Sequence, residues 1–387
     1  MNRCTRALIS KANLKHNIEQ IRKYVKADVK ICIAVKADSY GHSAVLTSKL
    51  AEEIGNIDYL AIATVNEGIE LRKAGIKLNL LLLSLSVPEE FEDIFKYNIT
   101  PTVFQAEYIK LFSAAADKYY QNDDKCPVFL AVDTGMGRIG CFSNEAGEQA
   151  ELICKSSHLK LEGMITHFCV SDSIKEENQI FTREQFKDFN KAVENVKKLG
   201  IDPGICSCGA SAALLNNEDM QFNMVRPGII TYGYYPDEIT EKLIQKKHPD
   251  FNLKQVMTLE TKIVALRKFP ACKSVSYGRT WKTEKETWIG VLPVGYADGL
   301  LRRFSPGLEV TINGKNYPVR GRICMDQCMV DLGDNPDNIK LFDKVIIFGP
   351  KESGALNTAD TLAASVNTIS YEVLTSITKR VERVITD

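Results

Sequence analysis

The sequence predicts an α/β protein with an N-terminal (β/α)8 barrel of the TIM type, followed by a mainly β C-terminal domain. Three observations carry that reading. About 235 residues alternate short apolar runs with longer segments of helical spacing, the pattern of parallel strands with crossover helices. The runs number eight, more than an open doubly wound sheet, the competing architecture, ordinarily repeats. After Tyr235 the texture changes to strand-like runs with few helical periods.

The eight candidate barrel strands are Val29–Val35, Tyr59–Ala63, Leu78–Ser84, Ile99–Val103, Pro127–Val132, Leu161–Thr166, Gly204–Ser207 and Phe222–Arg226. Between them, Ala44, Leu46, Leu50, Ala51 and Ile54 form one apolar helix face, and Phe186, Phe189, Val193, Val196 and Leu199 form another. The charged stretch Pro236 to Phe251 reads as a linker or surface excursion. Beyond it, strands are expected at Val256–Leu266, Thr287–Pro293, Leu308–Ile312, Tyr317–Val319, Cys328–Leu332 and Lys344–Phe348. Asn313-Gly314 marks a hairpin, because both residues tolerate positive φ. A helix is expected near Thr361–Val366. The division is therefore residues 10–240 for the barrel and 241–387 for the β domain, to which residues 1–9 could add a strand.

At 387 residues the chain is longer than one core usually supports, so two domains are expected. Its 49 basic and 49 acidic residues cancel, which argues against nucleic acid or an anionic membrane as a partner. Eleven scattered cysteines fit reduced thiols in a cytoplasmic protein. The start, Met1-Asn2-Arg3-Cys4-Thr5-Arg6, has no signal-peptide core behind it, and the apolar run Leu78 to Val87 is too short to cross a bilayer.

Barrel enzymes build their sites at the C-terminal ends of the strands. Lys36 and Tyr40 follow the first candidate strand, Asp133 and Arg138 the fifth, His167 the sixth, Ser211 the seventh, and Arg226-Pro227-Gly228-Ile229 the eighth. A lysine at the end of a buried strand is partly desolvated, which favours the neutral amine that forms imines with aldehydes. The turns after strands 7 and 8 are where barrels commonly hold phosphate on backbone N–H groups. An imine-forming lysine and a phosphate cradle on one rim describe pyridoxal 5'-phosphate. The dinucleotide pattern Gly135-x-Gly137-x-x-Gly140 competes weakly, since it follows the fifth strand and Glu162 falls inside a strand. Cys206-x-Cys208 and Cys324-x-x-x-Cys328 lack a second pair or a nearby histidine, so no metal site is expected.

These residues sit in longer motifs. They are Ala34-Val35-Lys36-Ala37-Asp38-Ser39-Tyr40-Gly41-His42, Asp133-Thr134-Gly135-Met136-Gly137-Arg138, Val225-Arg226-Pro227-Gly228, Val275-Ser276-Tyr277-Gly278, Gly321-Arg322-Ile323-Cys324-Met325-Asp326-Gln327 and Asn367-Thr368-Ile369-Ser370-Tyr371-Glu372. In sequence and order they resemble the alanine racemase family, nearly end to end. The resemblance implies that Lys36 anchors the cofactor and is one catalytic base, while Tyr277 from the β domain of a partner subunit is the other. It implies that Tyr40, Ser211, Gly228, Ile229 and Tyr371 hold the cofactor phosphate, and that Arg226 faces the pyridine nitrogen. His167 would lie close to Tyr277, Arg138 would bond the cofactor's phenolic oxygen, and the Met325 backbone would meet the substrate carboxylate. A homodimer with shared sites is implied as well.

Two departures from the family pattern stand out. Many members carry a lysine, often carbamylated and so anionic, where this chain has Ala131, which leaves Arg138 without its usual anionic partner. The turn after strand 7 usually reads Asn-Ser but is Ala210-Ser211 here, with Ser207 where a histidine is common. Inverting Cα needs a base on each face of a planar centre, which two bases supply directly. Tyr371, Tyr277 and Met325 are expected to crowd the substrate side chain, so that a methyl group fits best. A serine or broad-range racemase is the nearest alternative. A pyridoxal-phosphate carrier lacks the β domain, and a barrel decarboxylase pairs the ring nitrogen with a carboxylate rather than an arginine.

Overall fold

The computed structural model describes residues 3–387. Seven strands run parallel in sequence order: Lys30–Ala34, Tyr59–Ile62, Asn79–Leu82, Ile99–Val103, Cys126–Ala131, Leu159–Ile165 and Ile205–Ser207. The eighth, Met224–Val225, returns to pair in parallel with the first, Lys30 opposite Met224 and Ile31 opposite Val225. A single bridge between Ala210 and Arg226 joins it to the seventh and closes the ring. Closure buries the strands on both faces: every residue of Tyr59–Ile62 and of Ile99–Val103 is buried. That is why these strands read as continuous apolar runs rather than alternating ones.

Helix starts are set locally. Ser10 accepts from the Asn13 N–H to begin Lys11–Tyr24, and Thr64 forms a capping box with Glu67 to begin Val65–Lys73. On the long helix Glu176–Lys198, Phe189, Val193 and Val196 are buried as the periodicity predicts. Leu199 is not: it caps the helix and is exposed.

The C-terminal region forms a nine-stranded sheet. Its order is Ala265–Phe269, Thr287–Leu292, Cys328–Gly333, Lys315–Arg320, Glu309–Ile312, Lys344–Phe348, Met257–Lys262, Arg6–Ser10 and Glu382–Thr386. All neighbours are antiparallel except the last pair. Asn313 and Gly314 turn the Glu309–Ile312 and Lys315–Arg320 hairpin at φ 51° and 76°. The expected single strand Val256–Leu266 is two strands, because the chain changes partners at Ile263-Val264. The first half pairs with Lys344–Phe348, and the second pairs with Thr287–Leu292. The segment Pro236 to Phe251 is not a mere linker: Ile239, Ile244 and Phe251 are buried, and Glu241–Gln245 is a helical turn capped by Thr240. Helices Ala359–Ser365 and Ser370–Ser376 follow, the second unforeseen from the sequence. No helix is long and apolar enough to cross a membrane.

The chain's two ends meet around Asp298. Its fully buried side chain takes an ion pair from Arg3 at 2.5 Å and another from Arg380 at 3.4 Å, and it accepts the Gly295 N–H at 3.0 Å. Asp298→Ala should lower stability by about 3 kcal/mol, since two arginines lose their common counter-ion. A lower urea midpoint with an unchanged slope would be the sign of it.

Candidate active site

Lys36 emerges from the first barrel strand into an unusual turn. Ala37, Asp38, Ser39 and Tyr40 all lie in the left-handed region, at φ 52°, 53°, 55° and 53°. For residues with a Cβ this costs about 1–2 kcal/mol each, so the surroundings must hold the turn in place. The Ala37 N–H donates to Glu67 Oε1 at 2.7 Å, and the Ala44 N–H to Asp38 Oδ1 at 2.8 Å. Arg383, from the last strand of the β sheet, donates through Nε to the Gly41 carbonyl at 3.0 Å. Gly41, at φ 84°, ends the turn where a Cβ would fall 2.4 Å from the Leu374 carbonyl oxygen.

The turn opens onto a cavity of about 590 Å³, the size range of small-molecule sites. Lys36, Tyr40, Arg138, His167, Ser211, Arg226, Gly228, Ile229 and Tyr371 all line it. The eight barrel-rim residues arrive from turns after five strands, and Tyr371 from the helix Ser370–Ser376. Tyr277 and Met325 do not join them within one chain. Tyr277 is 70% exposed and Met325 52% exposed. Their segments touch each other instead, through the Ser276 hydroxyl donating to the Arg322 carbonyl at 2.5 Å.

The cavity wall sets the cations Lys36, Arg138 and Arg226 beside neutral donors, with Asp133 and Asp172 on the same lining. Burial, then Arg138 and Arg226, push the Lys36 amine below the ordinary lysine value, and Glu67 opposes them. Burial and the charges of Arg226, Arg138 and Lys36 push His167 down to about 3, so its imidazole is neutral. Burial raises Tyr40 to about 12, and it raises Tyr371 as well, so both phenols keep their protons. Arg226 is buried without a carboxylate partner among the described residues. It donates to Ser207 Oγ and to the Thr166 carbonyl, both at 2.6 Å, and to His167 Nδ1 at 3.4 Å. Ser207 thus supplies the support that its departure from the family pattern had put in question.

At the far wall the Gly228 N–H donates to Ser211 Oγ at 2.8 Å. A Cβ on Gly228 would lie 2.7 Å from Tyr40 Oη, so the residue keeps a small cradle of N–H and hydroxyl groups open. Arg138 has no ion pair among the described residues, and Ala131 lines the same cavity. Sequence reasoning missed Asp172, Cys169 and Met136, which also line the cavity, and Glu67 behind it. Only Glu67 had a readable signal, the spacing Thr64-x-x-Glu67, and that signal spoke of a helix start rather than of the site.

Comparison with known proteins agrees over the whole chain. The family models described as alanine racemase, N-terminal domain, and alanine racemase, C-terminal domain, match residues 9–236 and 256–385. Alanine racemase of Treponema denticola is 44% identical over 387 residues, spanning 100% of this chain and 99% of that protein. Alanine racemase 1 of Clostridium acetobutylicum is 40% identical over 373 residues, spanning 96% of this chain and 92% of that one. The solved alanine racemase of Clostridium difficile 630 superposes with a TM-score of 0.90 at 37% identity, covering 100% and 96% of the two chains. That of Bacillus anthracis with bound L-Ala-P does so with 0.88 at 31% identity, again covering 100% and 96%.

Behind the turn, His42 is buried against the Tyr232 ring and hydrogen-bonds the Ser39 and Tyr40 carbonyls through Nδ1, both at 3.0 Å. Burial lowers it from 6.5 to about 4. Below pH 6.5 the unfolded chain therefore binds a proton that the folded one refuses, and stability is lost as pH falls toward 4. In His42→Gln, unfolding free energy measured by denaturant titration should fall less steeply over that window, by up to about 1.4 kcal/mol per pH unit.

Proposed function

The chain belongs to the alanine racemase family, and we propose that it interconverts L-alanine and D-alanine by exchanging the Cα proton between Lys36 and Tyr277 of the partner subunit, with pyridoxal 5'-phosphate held in the cavity. One observation carries the reading. A single cavity wall joins a half-buried lysine, a neutral cradle at Gly228 and Ser211, and a buried arginine.

The residues fit that cofactor. Tyr40, Ser211, Gly228, Ile229 and Tyr371 would hold its phosphate, Lys36 its aldehyde carbon, Arg226 its ring nitrogen and Arg138 its phenolic oxygen. When bound, pyridoxal phosphate withdraws electrons from an attached amino acid and so acidifies its Cα–H. Lys36, kept less basic by burial and by Arg138 and Arg226, gives up a proton more readily than an ordinary lysine and can take one back. Arg226 stays a cation and offers only N–H donors, so it gives a ring nitrogen no carboxylate with which to share a proton. That moderates electron withdrawal and favours proton exchange over decarboxylation. His167 accepts from Arg226 through Nδ1, which leaves Nε2 as its donor.

A second copy of the chain supplies the other base. The Tyr277 and Met325 segments are exposed and tied together, and the Tyr296 N–H donates to the Cys324 carbonyl beside them at 3.1 Å. Docked over a neighbouring cavity, this face would place Tyr277 opposite Lys36 and the Met325 backbone near the substrate carboxylate. Eleven free cysteines suit a reducing cytoplasm.

Incubation with each L-amino acid in D2O, followed by chiral analysis, should give D-alanine as the main product with deuterium at Cα; alanine recovered unlabelled would overturn the reading. Lys36→Ala should abolish the yellow, borohydride-reducible chromophore of the purified protein. Tyr371→Ala should raise turnover of serine relative to alanine by about tenfold, by removing a ring from the side-chain pocket.

A further inference from the structure

The helix Val65–Lys73 begins with a capping box, and in such a box the glutamate normally satisfies only the N–H of its own cap. Glu67 does more. Its Oε2 accepts from the Thr64 N–H at 3.2 Å and from the Ala63 N–H at 2.7 Å, at the end of the second barrel strand. Its Oε1 crosses to the first strand and accepts from the Ala37 N–H at 2.7 Å, one residue past the lysine. One carboxylate therefore spans two strand ends and holds the first residue of the left-handed turn. We infer that Glu67 is a positioning residue for Lys36: it locks the turn that aims the amine, and it fixes a carboxylate against the backbone one residue away from that amine.

The inference rests on Lys36 being the cofactor-anchoring base, as proposed above. The charged and titratable groups of the amine's cavity are Arg138, His167 and Arg226 on the barrel rim, Tyr40 on the same turn, Tyr371 from the C-terminal helix, and Asp133, Cys169 and Asp172 on the same wall. His167 is held neutral and the phenols keep their protons, and neither aspartate is among the charges that shift Lys36. Glu67 lies behind the turn, in a side cavity shared with Asp38, Glu70, Lys379 and Arg383. Of the acids there, it is the one whose charge acts on Lys36, and it acts against Arg138 and Arg226. Without it Lys36 loses the acid that opposes Arg138 and Arg226, and a protonated Lys36 nitrogen is disfavoured. Glutamine at this position keeps the side chain's size, but its NH2 cannot accept. Either Ala37 or the Ala63–Thr64 pair would then lose its partner.

The test compares Glu67→Gln and Glu67→Asp with the parent in the cofactor-loaded enzyme. Three quantities are read: the pH midpoint of the visible absorption band, amide hydrogen exchange across residues 34–42, and kcat and KM for alanine. Glu67→Gln should lower the midpoint by about one pH unit and speed exchange at Ala37. Its kcat should fall about tenfold or more while KM stays within about threefold. Glu67→Asp keeps the charge but shortens the reach, so its midpoint should stay near the parent's while Ala37 exchanges faster. A Glu67→Gln enzyme that titrates and exchanges like the parent would overturn the inference. So would a loss of activity that tracks thermal stability at an unchanged midpoint, which is the mark of a purely structural brace. If Glu67→Gln fails to retain cofactor, unchanged exchange at Ala37 in the cofactor-free protein overturns it and accelerated exchange supports it. Failure of the underlying reading is distinct, since a chromophore surviving in Lys36→Ala would show it whatever Glu67 does.

Discussion

The left-handed turn from Ala37 to Tyr40 is the constraint around which the rest of the site is arranged. Four side-chain-bearing residues in that conformation are together unfavourable by several kcal/mol, on the order of 1–2 each. They persist because partners from distant parts of the chain over-determine them. Glu67 holds the start of the turn, Asp38 secures the next helix, and Arg383 reaches in from the final strand. The conformation turns Lys36 and Tyr40 toward one cavity within five residues, so the strain of the backbone is coupled to the placement of two cavity-lining groups.

The second organising feature is a buried cation without a buried anion. A guanidinium taken out of water ordinarily needs a carboxylate. Arg226 has neutral acceptors instead: a serine hydroxyl, a carbonyl and an imidazole. The imidazole can serve only because it is neutral, and Arg226 is itself among the charges that keep it so. The two arginines thus lower the proton affinity of Lys36, and the arginines and Lys36 together lower that of His167. Neutral phenols and backbone N–H groups complete a lining suited to an anionic ligand.

The two domains divide the work but are not independent. The C-terminal region sends Arg383 from its last strand to brace the barrel turn and Tyr371 from the helix Ser370–Ser376 to line the barrel's cavity. The barrel in turn is entered from a strand, Arg6–Ser10, that belongs to the β sheet. Tyr277 and Met325 are exposed and do not line the cavity of their own chain.

The sequence by itself determined the barrel, because strands buried on both faces must be apolar throughout and the intervening helices must be amphipathic. It determined most of the cavity wall as well, since Lys36, His167, Ser211 and Arg226 stand where strands end and polar groups can face a cleft. It did not reveal the split at Ile263-Val264, since a change of pairing partner leaves no trace in an apolar run. Nor did it reveal the left-handed turn: the residues there have ordinary right-handed preferences, and contacts as far away in sequence as Arg383 overrule them. Glu67 was legible as a helix cap, but its second oxygen acquires a role only once two strand ends lie side by side. Ser207 could be judged a departure but not a sufficient replacement, because that depends on a 2.6 Å distance that only the closed barrel sets. Local patterning records which faces are buried; which distant groups meet there is decided by tertiary packing.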